Sequence, residues 1–142
     1  MPTSGDRPQL LIDTSVAVAL AAAGHEHHQA TRAAIGGRSC GLCGHAAFET
    51  FSVLTRLPPP SRRTPDAVAR LLAHDFPGSL FLSAQGAQRL HARLAMLGIA
   101  GGVVYDALVA ATAAEHRITL ATRDRRAAET YRALDIDFEL ID

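Results

Sequence analysis

Four carboxylates stand where the elements of this chain are predicted to end or begin: Asp13, Glu49, Asp106 and Asp124. Asp13 closes the apolar run Leu10-Leu11-Ile12. Asp124 follows Ile118-Thr119-Leu120-Ala121 within Thr122-Arg123-Asp124-Arg125. Asp106 opens the helical stretch Tyr105-Asp106-Ala107-Leu108-Val109, and Glu49 sits inside the otherwise apolar Ala46-Ala47-Phe48-Glu49. Brought together, they would form a pocket of four negative charges, which is costly without cations, and divalent metals are the usual answer. Oxygen ligands without thiolate or imidazole suit Mg²⁺, with Mn²⁺ as the alternative, rather than Zn²⁺. One or two such ions, about 4 Å apart when paired, can hold a phosphate and lower the pKa of a water for in-line attack on phosphorus. Taken singly, each acid has an ordinary use. Asp13 and Asp124 can cap helices, Asp106 can complement a helix dipole, and Glu49 can be a solvated surface group. Two details favour the joint reading. Thr14 or Ser15 could cap in place of Asp13, and Glu49 is expected on a helix face opposite the phenylalanines.

The remaining motifs are weaker. Cys40 and Cys43 form a lone C-x-x-C with no second pair, which reads as two thiols in a reducing compartment rather than a zinc or redox site. His25-Glu26-His27-His28 has metal-ligand spacing but reads mainly as a solvated helix start. There is no P-loop and no G-x-G-x-x-G, and Gly98-Ile99-Ala100-Gly101-Gly102 has the wrong spacing for phosphate cradling. All 14 basic residues are Arg, in a chain of zero formal net charge. Arg123, Arg125 and Arg126 flank Asp124, where they would meet phosphates. Arg62, Arg63, Arg89 and Arg93 are lesser candidates. Two Tyr, five Phe and no Trp leave few stacking platforms, so any nucleic-acid contact is expected to read phosphates and shape rather than to stack on long single strands.

The elements that must position the acids alternate. Strands are expected at 9–12, 38–42, 79–82, 118–121 and 137–141. Helices are expected at 15–23, 25–35, 45–57, 65–74, 83–97, 103–116 and 125–134. The third of these should bury Ala47, Phe48, Phe51 and Leu54. This order predicts an α/β fold: a single domain over 1–142, three layers thick, with a central parallel sheet of four to five strands and helices on both faces. Residues 1–8 are expected to fray. Sites in such sheets form outside the carboxyl ends of the strands, where Asp13 and Asp124 fall. No apolar run approaches the roughly 20 residues of a membrane span, and no signal peptide is evident, so a cytoplasmic protein is expected.

At these residues the chain resembles PIN-domain ribonucleases, and more closely the VapC-type toxins of bacterial type II toxin–antitoxin systems. The stretches that carry the resemblance are Leu11-Ile12-Asp13-Thr14-Ser15-Val16, Ala46-Ala47-Phe48-Glu49-Thr50, Tyr105–Ala113 and Leu120-Ala121-Thr122-Arg123-Asp124. They span nearly the whole chain in one order. The resemblance implies Mg²⁺-dependent endonucleolytic cleavage of RNA, tRNA or rRNA, with Asp13 and Asp106 as principal metal ligands and Asp124 completing the shell. Glu49 would contact a second ion or orient the attacking water, and Thr122 would be the small hydroxyl residue near the acids. It also implies a cognate VapB-type antitoxin that presents a basic side chain to the site, and toxin dimerisation. The 64–74 helix and the early helices are expected to supply the apolar groove and dimer surface. Where many relatives carry further acidic and aromatic residues after the last acid, this chain has Arg125-Arg126-Ala127-Ala128. A haloacid-dehalogenase-type phosphohydrolase also begins strand–Asp, but it needs an Asp at position 15 and a Lys, and this chain has Ser15 and no Lys. A flap-cleaving DNA nuclease needs extra acids and a helical arch. A non-catalytic PIN-like binding module would have no need of all four acids.

Overall fold

The computed structural model describes residues 7–142. The elements are β1 (Leu10–Ile12), α1 (Thr14–Ala21), α2 (His28–Ile35), β2 (Cys40–Leu42), α3 (His45–Thr55), α4 (Pro65–Asp75), α5 (Ala84–Arg93), α6 (Val103–His116), β3 (Leu120–Thr122), α7 (Arg125–Ala133) and β4 (Phe138–Leu140). The four strands form one sheet in the order β2-β1-β3-β4, and every pairing is parallel.

Each strand is short, and its alternate side chains go to opposite faces. Leu10, Ile12 and Ala121 pack with Val16, Ala17 and Ile35 from α1 and α2. Leu11 and Leu120 pack with Val109, Ala110, Ala127 and Tyr131 from α6 and α7. Both faces are therefore covered, which is why β1 reads as a continuous apolar run instead of an alternation. The three-layer parallel architecture expected from the sequence is realised with four strands. The stretch 79–82, expected as a strand, makes a single isolated bridge among the described residues, Leu80 to Cys43. The Ser79 hydroxyl takes the Leu42 amide at 2.9 Å, so a side chain stands where a ladder carbonyl would be.

Other boundaries shift by local chemistry. Of the residues expected to fray, 1–6 lie outside the described residues. Arg7 and Pro8 do not fray: Arg7 donates to the His116 carbonyl and Pro8 is buried. Helix α1 starts at Thr14 because Asp13, not Thr14 or Ser15, is its N-cap. Helix α5 stops at Arg93, and residues 94–97 form turns. In α3 the buried stripe is Ala46, Thr50 and Leu54, so the helix is rotated by about one residue from the expected face and Phe48 is 67% exposed. The apolar face of α4 is used internally: Val68 forms a cluster with Ala21 and Leu54, joined by Leu71 and Leu72. No helix among the described residues is long and apolar enough to cross a membrane.

The strand order places the site. The chain runs from β1 out to β2 on one side, then returns past β1 to β3 on the other. Loops leaving β1 and β3 thus diverge and leave a crevice at their carboxyl ends, the usual position for a ligand in such sheets.

Candidate active site

Asp13 and Asp124 flank this crevice, one at the end of each central strand. Asp13 is almost fully buried, at 6% exposure. Its Oδ1 accepts the Ser15 hydroxyl at 2.5 Å and the Val16 amide at 3.3 Å, and its Oδ2 accepts the Tyr131 hydroxyl at 3.0 Å. Burial pushes its carboxyl above the ordinary carboxylate range, and donation from Ser15, Thr122, Tyr131 and the Val16 amide opposes that rise. Asp124 caps α7 through Oδ1, which accepts the Arg126 amide at 2.9 Å and the Ala127 amide at 3.3 Å. Both acids are therefore helix caps and site residues at once; capping and the site are not alternatives here.

Asp106 lies half-buried in the first turn of α6. Its carboxyl is pushed up to about 6, first by burial and then by the charges of Asp124, Asp13 and Glu49. Glu49 lies in the second turn of α3, half-exposed, with its Oε2 4.0 Å from His45 Nε2. All four acids line one pocket of about 210 Å³, with Thr14, Ser15, Tyr105, Val109, Ala127 and Tyr131. The structure thus brings together every acid singled out in the sequence. A larger hollow of about 440 Å³ lies between the end of α1 and the Pro58-Pro59-Pro60 loop, and among the described residues His25 and Arg63 are the titratable side chains lining it.

Thr122, expected as the small hydroxyl residue near the acids, is fully buried. Its hydroxyl accepts the Asp124 amide at 3.0 Å and lies 3.4 Å from Ser15 Oγ. It braces the two loops from below and has no surface to offer a ligand. Among the expected arginines, Arg123 gives its amide to Ser15 Oγ at 2.8 Å, and its Nε is buried without a partner. Its guanidinium also lowers the pKa of His25, second to burial. Arg125 pairs with Asp142 at 3.0 Å, and Arg126 is exposed. Cys40 and Cys43 are buried free thiols. Burial pushes Cys40 up to about 11, and Cys43 donates to the Val109 carbonyl at 3.2 Å, so both are unreactive. His25 to His28 form no metal cluster among the described residues.

Sequence reading missed Tyr131 and Ser15, which fix Asp13. Tyr131 reads only as an apolar position of α7, since its partner lies 118 residues away. It also missed an aromatic rim: His45 and Tyr105 stack with centroids 4.6 Å apart, and the Phe48 and Phe81 rings lie 6.0 Å apart.

The pocket suits a hard cation by its donors. All four acids offer carboxylate oxygens, and burial, followed by the charges of the other three, raises Asp106. The oxygens left over are also the useful ones. Asp124 Oδ2 and both oxygens of Asp106 accept no hydrogen bond among the described residues, while Asp13 Oδ2 accepts one and retains a further lone pair. No three of the described His, Cys, Asp and Glu side chains already stand at ligand spacing, so a bound cation would draw the carboxylates inward. The half-exposed Glu49 has the freedom to follow.

A parallel 2-1-3-4 sheet with four carboxylates at its switch point is an architecture compatible with a PIN domain. The family model for the PIN domain matches residues 10–133, and the chain belongs to that family. It is 49% identical over 130 residues to ribonuclease VapC27 of Mycobacterium tuberculosis, covering 92% of this chain and 95% of that one. Among solved structures it is similar to VapC20 of M. tuberculosis, a sarcin–ricin loop cleaving toxin. The TM-score is 0.64 at 19% identity, with 84% of this chain and 93% of the other covered. It is also similar to VapBC2 of Rickettsia felis, solved bound to a DNA fragment from its promoter. There the TM-score is 0.65 at 14% identity, with 94% and 98% covered.

Proposed function

We propose that the protein is a Mg²⁺-dependent endoribonuclease, the toxin of a type II toxin–antitoxin pair acting on tRNA or rRNA in the cytoplasm. The observation that carries this is the single pocket holding Asp13, Glu49, Asp106 and Asp124 at the β1/β3 crevice. Likeness over nearly the full length to a VapC ribonuclease supports the same reading.

Asp13, Asp106 and Asp124 would hold the cation. When bound, Mg²⁺ or Mn²⁺ supplies a Lewis acid for the phosphate and lowers the pKa of a water. The protein's part is placement. Ser15, Tyr131 and the Val16 amide fix the rotamer of Asp13. Glu49, lining the same pocket, orients the attacking water by accepting its proton. Arg123 and Arg126 flank the last acid and meet phosphates along the strand, while Arg125 must first leave Asp142.

A VapB-type antitoxin would silence the site by setting a basic side chain among the four acids, which the raised Asp106 favours electrostatically. A homodimer is also part of this reading. With Val68 of α4 packed inward, the exposed Phe48, Phe81, Met96 and Val103 add apolar surface that such a dimer would use.

The test is cleavage of tRNA and rRNA by purified protein. Asp13→Asn and Asp106→Asn should each abolish cleavage while circular dichroism and Tm report a folded chain, and EDTA should abolish wild-type cleavage reversibly. Full activity in either variant or in EDTA would overturn the proposal. Mapping 5′ ends of cellular RNA after induction identifies the cut.

A further inference from the structure

At the far end of α6 from the acidic pocket lies a second cleft of about 420 Å³, between α5 and α6, with Arg89, Arg93 and Arg117 among its lining residues. Asp106 and Arg117 mark the two ends of α6, about 16 Å apart along the axis at roughly 1.5 Å per residue.

Three observations bear on what this cleft binds. First, its arginines are free. Among the described residues none of the three enters an ion pair; those are made by Arg38, Arg70 and Arg125. Second, the one acid lining the cleft is already engaged. Glu115 accepts the Ser83 hydroxyl at 2.6 Å and the Ser83 amide at 2.9 Å, which fixes the start of α5. Gly86 lets the helices close there, since a Cβ at that position would lie 2.4 Å from Glu115 Oε1. The Glu115 carboxylate is thus hydrogen-bonded to a helix cap, and the Arg89 charge acts on it only as a weaker influence without an ion pair. Third, Arg117 occupies a left-handed position, φ 56°, as the residue ending α6. Glycine is the residue that suits this conformation, and an Arg there carries backbone strain. A strained residue bearing a free guanidinium at a cleft mouth is a pointer to a ligand. Arg117 also borders a neighbouring hollow with Asp135 and Asp137, so the stronger anion contacts are those of Arg89 and Arg93.

We infer that this cleft is a second RNA-binding site, which takes backbone phosphates of a folded RNA whose scissile bond lies in the acidic pocket. The inference rests on the ribonuclease reading for its choice of ligand. Guanidinium forks match phosphate oxygens in a bidentate manner. A site this far from the chemistry is out of reach of an oligonucleotide too short to span both, and is engaged by a longer RNA such as a folded one. It also supplies a charge-based grip that the zero net charge of the chain does not advertise.

The test is equilibrium binding of bulk tRNA to metal-free protein across a salt series, beside a single-stranded oligonucleotide too short to span pocket and cleft. The double variant Arg89→Ala/Arg93→Ala should bind tRNA about tenfold more weakly, and the slope of log K against log salt should fall by about 1.5, as for two lost phosphate contacts. Binding of the short oligonucleotide should not change. Arg117→Gly should weaken tRNA binding while raising Tm, since it relieves the left-handed strain. This pair of opposite effects separates binding from misfolding. An unchanged slope in the double variant overturns the inference, as does equal loss for both nucleic acids. Loss of binding to a poly-glutamate peptide with tRNA binding intact also overturns it and assigns the cleft to an acidic protein segment. A reduced slope in a protein that cuts no RNA leaves the cleft standing and removes the ribonuclease reading.

Discussion

Asp106 carries the site's electrostatic cost, and its sign can be worked out. In the unfolded chain its carboxyl titrates near 3.8, and in the fold it is pushed up to about 6 by burial and then by Asp124, Asp13 and Glu49. Between those values the folded state binds more protons than the unfolded one, so stability falls as pH rises through the window. The penalty is absent below the lower value and complete above the upper one. Metal-free Asp106→Asn should therefore be more stable than wild type near neutral pH, by roughly 2 kcal/mol, with the gain vanishing toward about pH 4. Thermal melts at both pH values check this; equal Tm at neutral pH would remove the account. Tyr131 gives a second prediction. Its buried hydroxyl is one of the donors that hold the Asp13 carboxyl down against burial. Tyr131→Phe should cost about 1–3 kcal/mol, since it leaves a buried acceptor short of a partner. It should also raise the pKa of Asp13, shifting the acid limb of the cleavage–pH profile upward. A lowered Tm with an unmoved profile would make Tyr131 a packing residue only.

Helix termini, rather than helix faces, build this site. Asp124 both caps α7 and lines the pocket, so two substitutions should separate its roles. Asn accepts the same amide hydrogen bonds, and Asp124→Asn should keep Tm while lowering cleavage. Asp124→Ala should lose both, with about 1 kcal/mol of stability gone with the cap. The same logic explains what could be read from the sequence. The strand–Asp junctions at Asp13 and Asp124 and the helix-opening Asp106 were legible because an apolar run buried on both faces, followed by a capping acid, is a local signal. The bracing of Asp13 by Tyr131 was not legible, because it joins residues 118 positions apart. The face of α3 was misjudged because 46, 50, 54 and 47, 48, 51, 54 are both helical stripes. What decides between them is the turn at Gly44, whose φ of 55° and close approach to Thr112 fix where α3 begins. A Cβ at Gly44 would lie 2.7 Å from Thr112 Oγ1, so Gly44→Ala should destabilise by roughly 1–3 kcal/mol through strain. It should also move Glu49, lowering activity by more than the Tm loss explains.

At the scale of the whole molecule, zero net charge conceals two local concentrations of charge. The carboxylates are gathered at the carboxyl end of the sheet, whereas Arg89, Arg93 and Arg117 stand free at the other end of α6. The fold tolerates the acidic end because its core is otherwise well closed, with Leu11, Ile12, Leu120 and Tyr131 nearly inaccessible beneath it. That tolerance should appear as linkage. A cation that binds the folded pocket and not the unfolded chain stabilises by about 2.7 kcal/mol at a hundredfold excess over its Kd. Mg²⁺ or Mn²⁺ should therefore raise Tm in a concentration-dependent way, and Asp13→Asn and Asp106→Asn should blunt the rise. Because protons compete for the same oxygens, the shift should shrink as pH falls below about 6, where Asp106 becomes neutral. The measurement is a set of melts against Mg²⁺ at several pH values, with NaCl at matched ionic strength as the control for screening. A rise that NaCl reproduces, or that survives loss of both Asp13 and Asp106 carboxylates, would mean general screening rather than a site. A rise confined to the divalent ion and lost in the two variants would tie the stability of this end of the sheet to the group its chemistry requires.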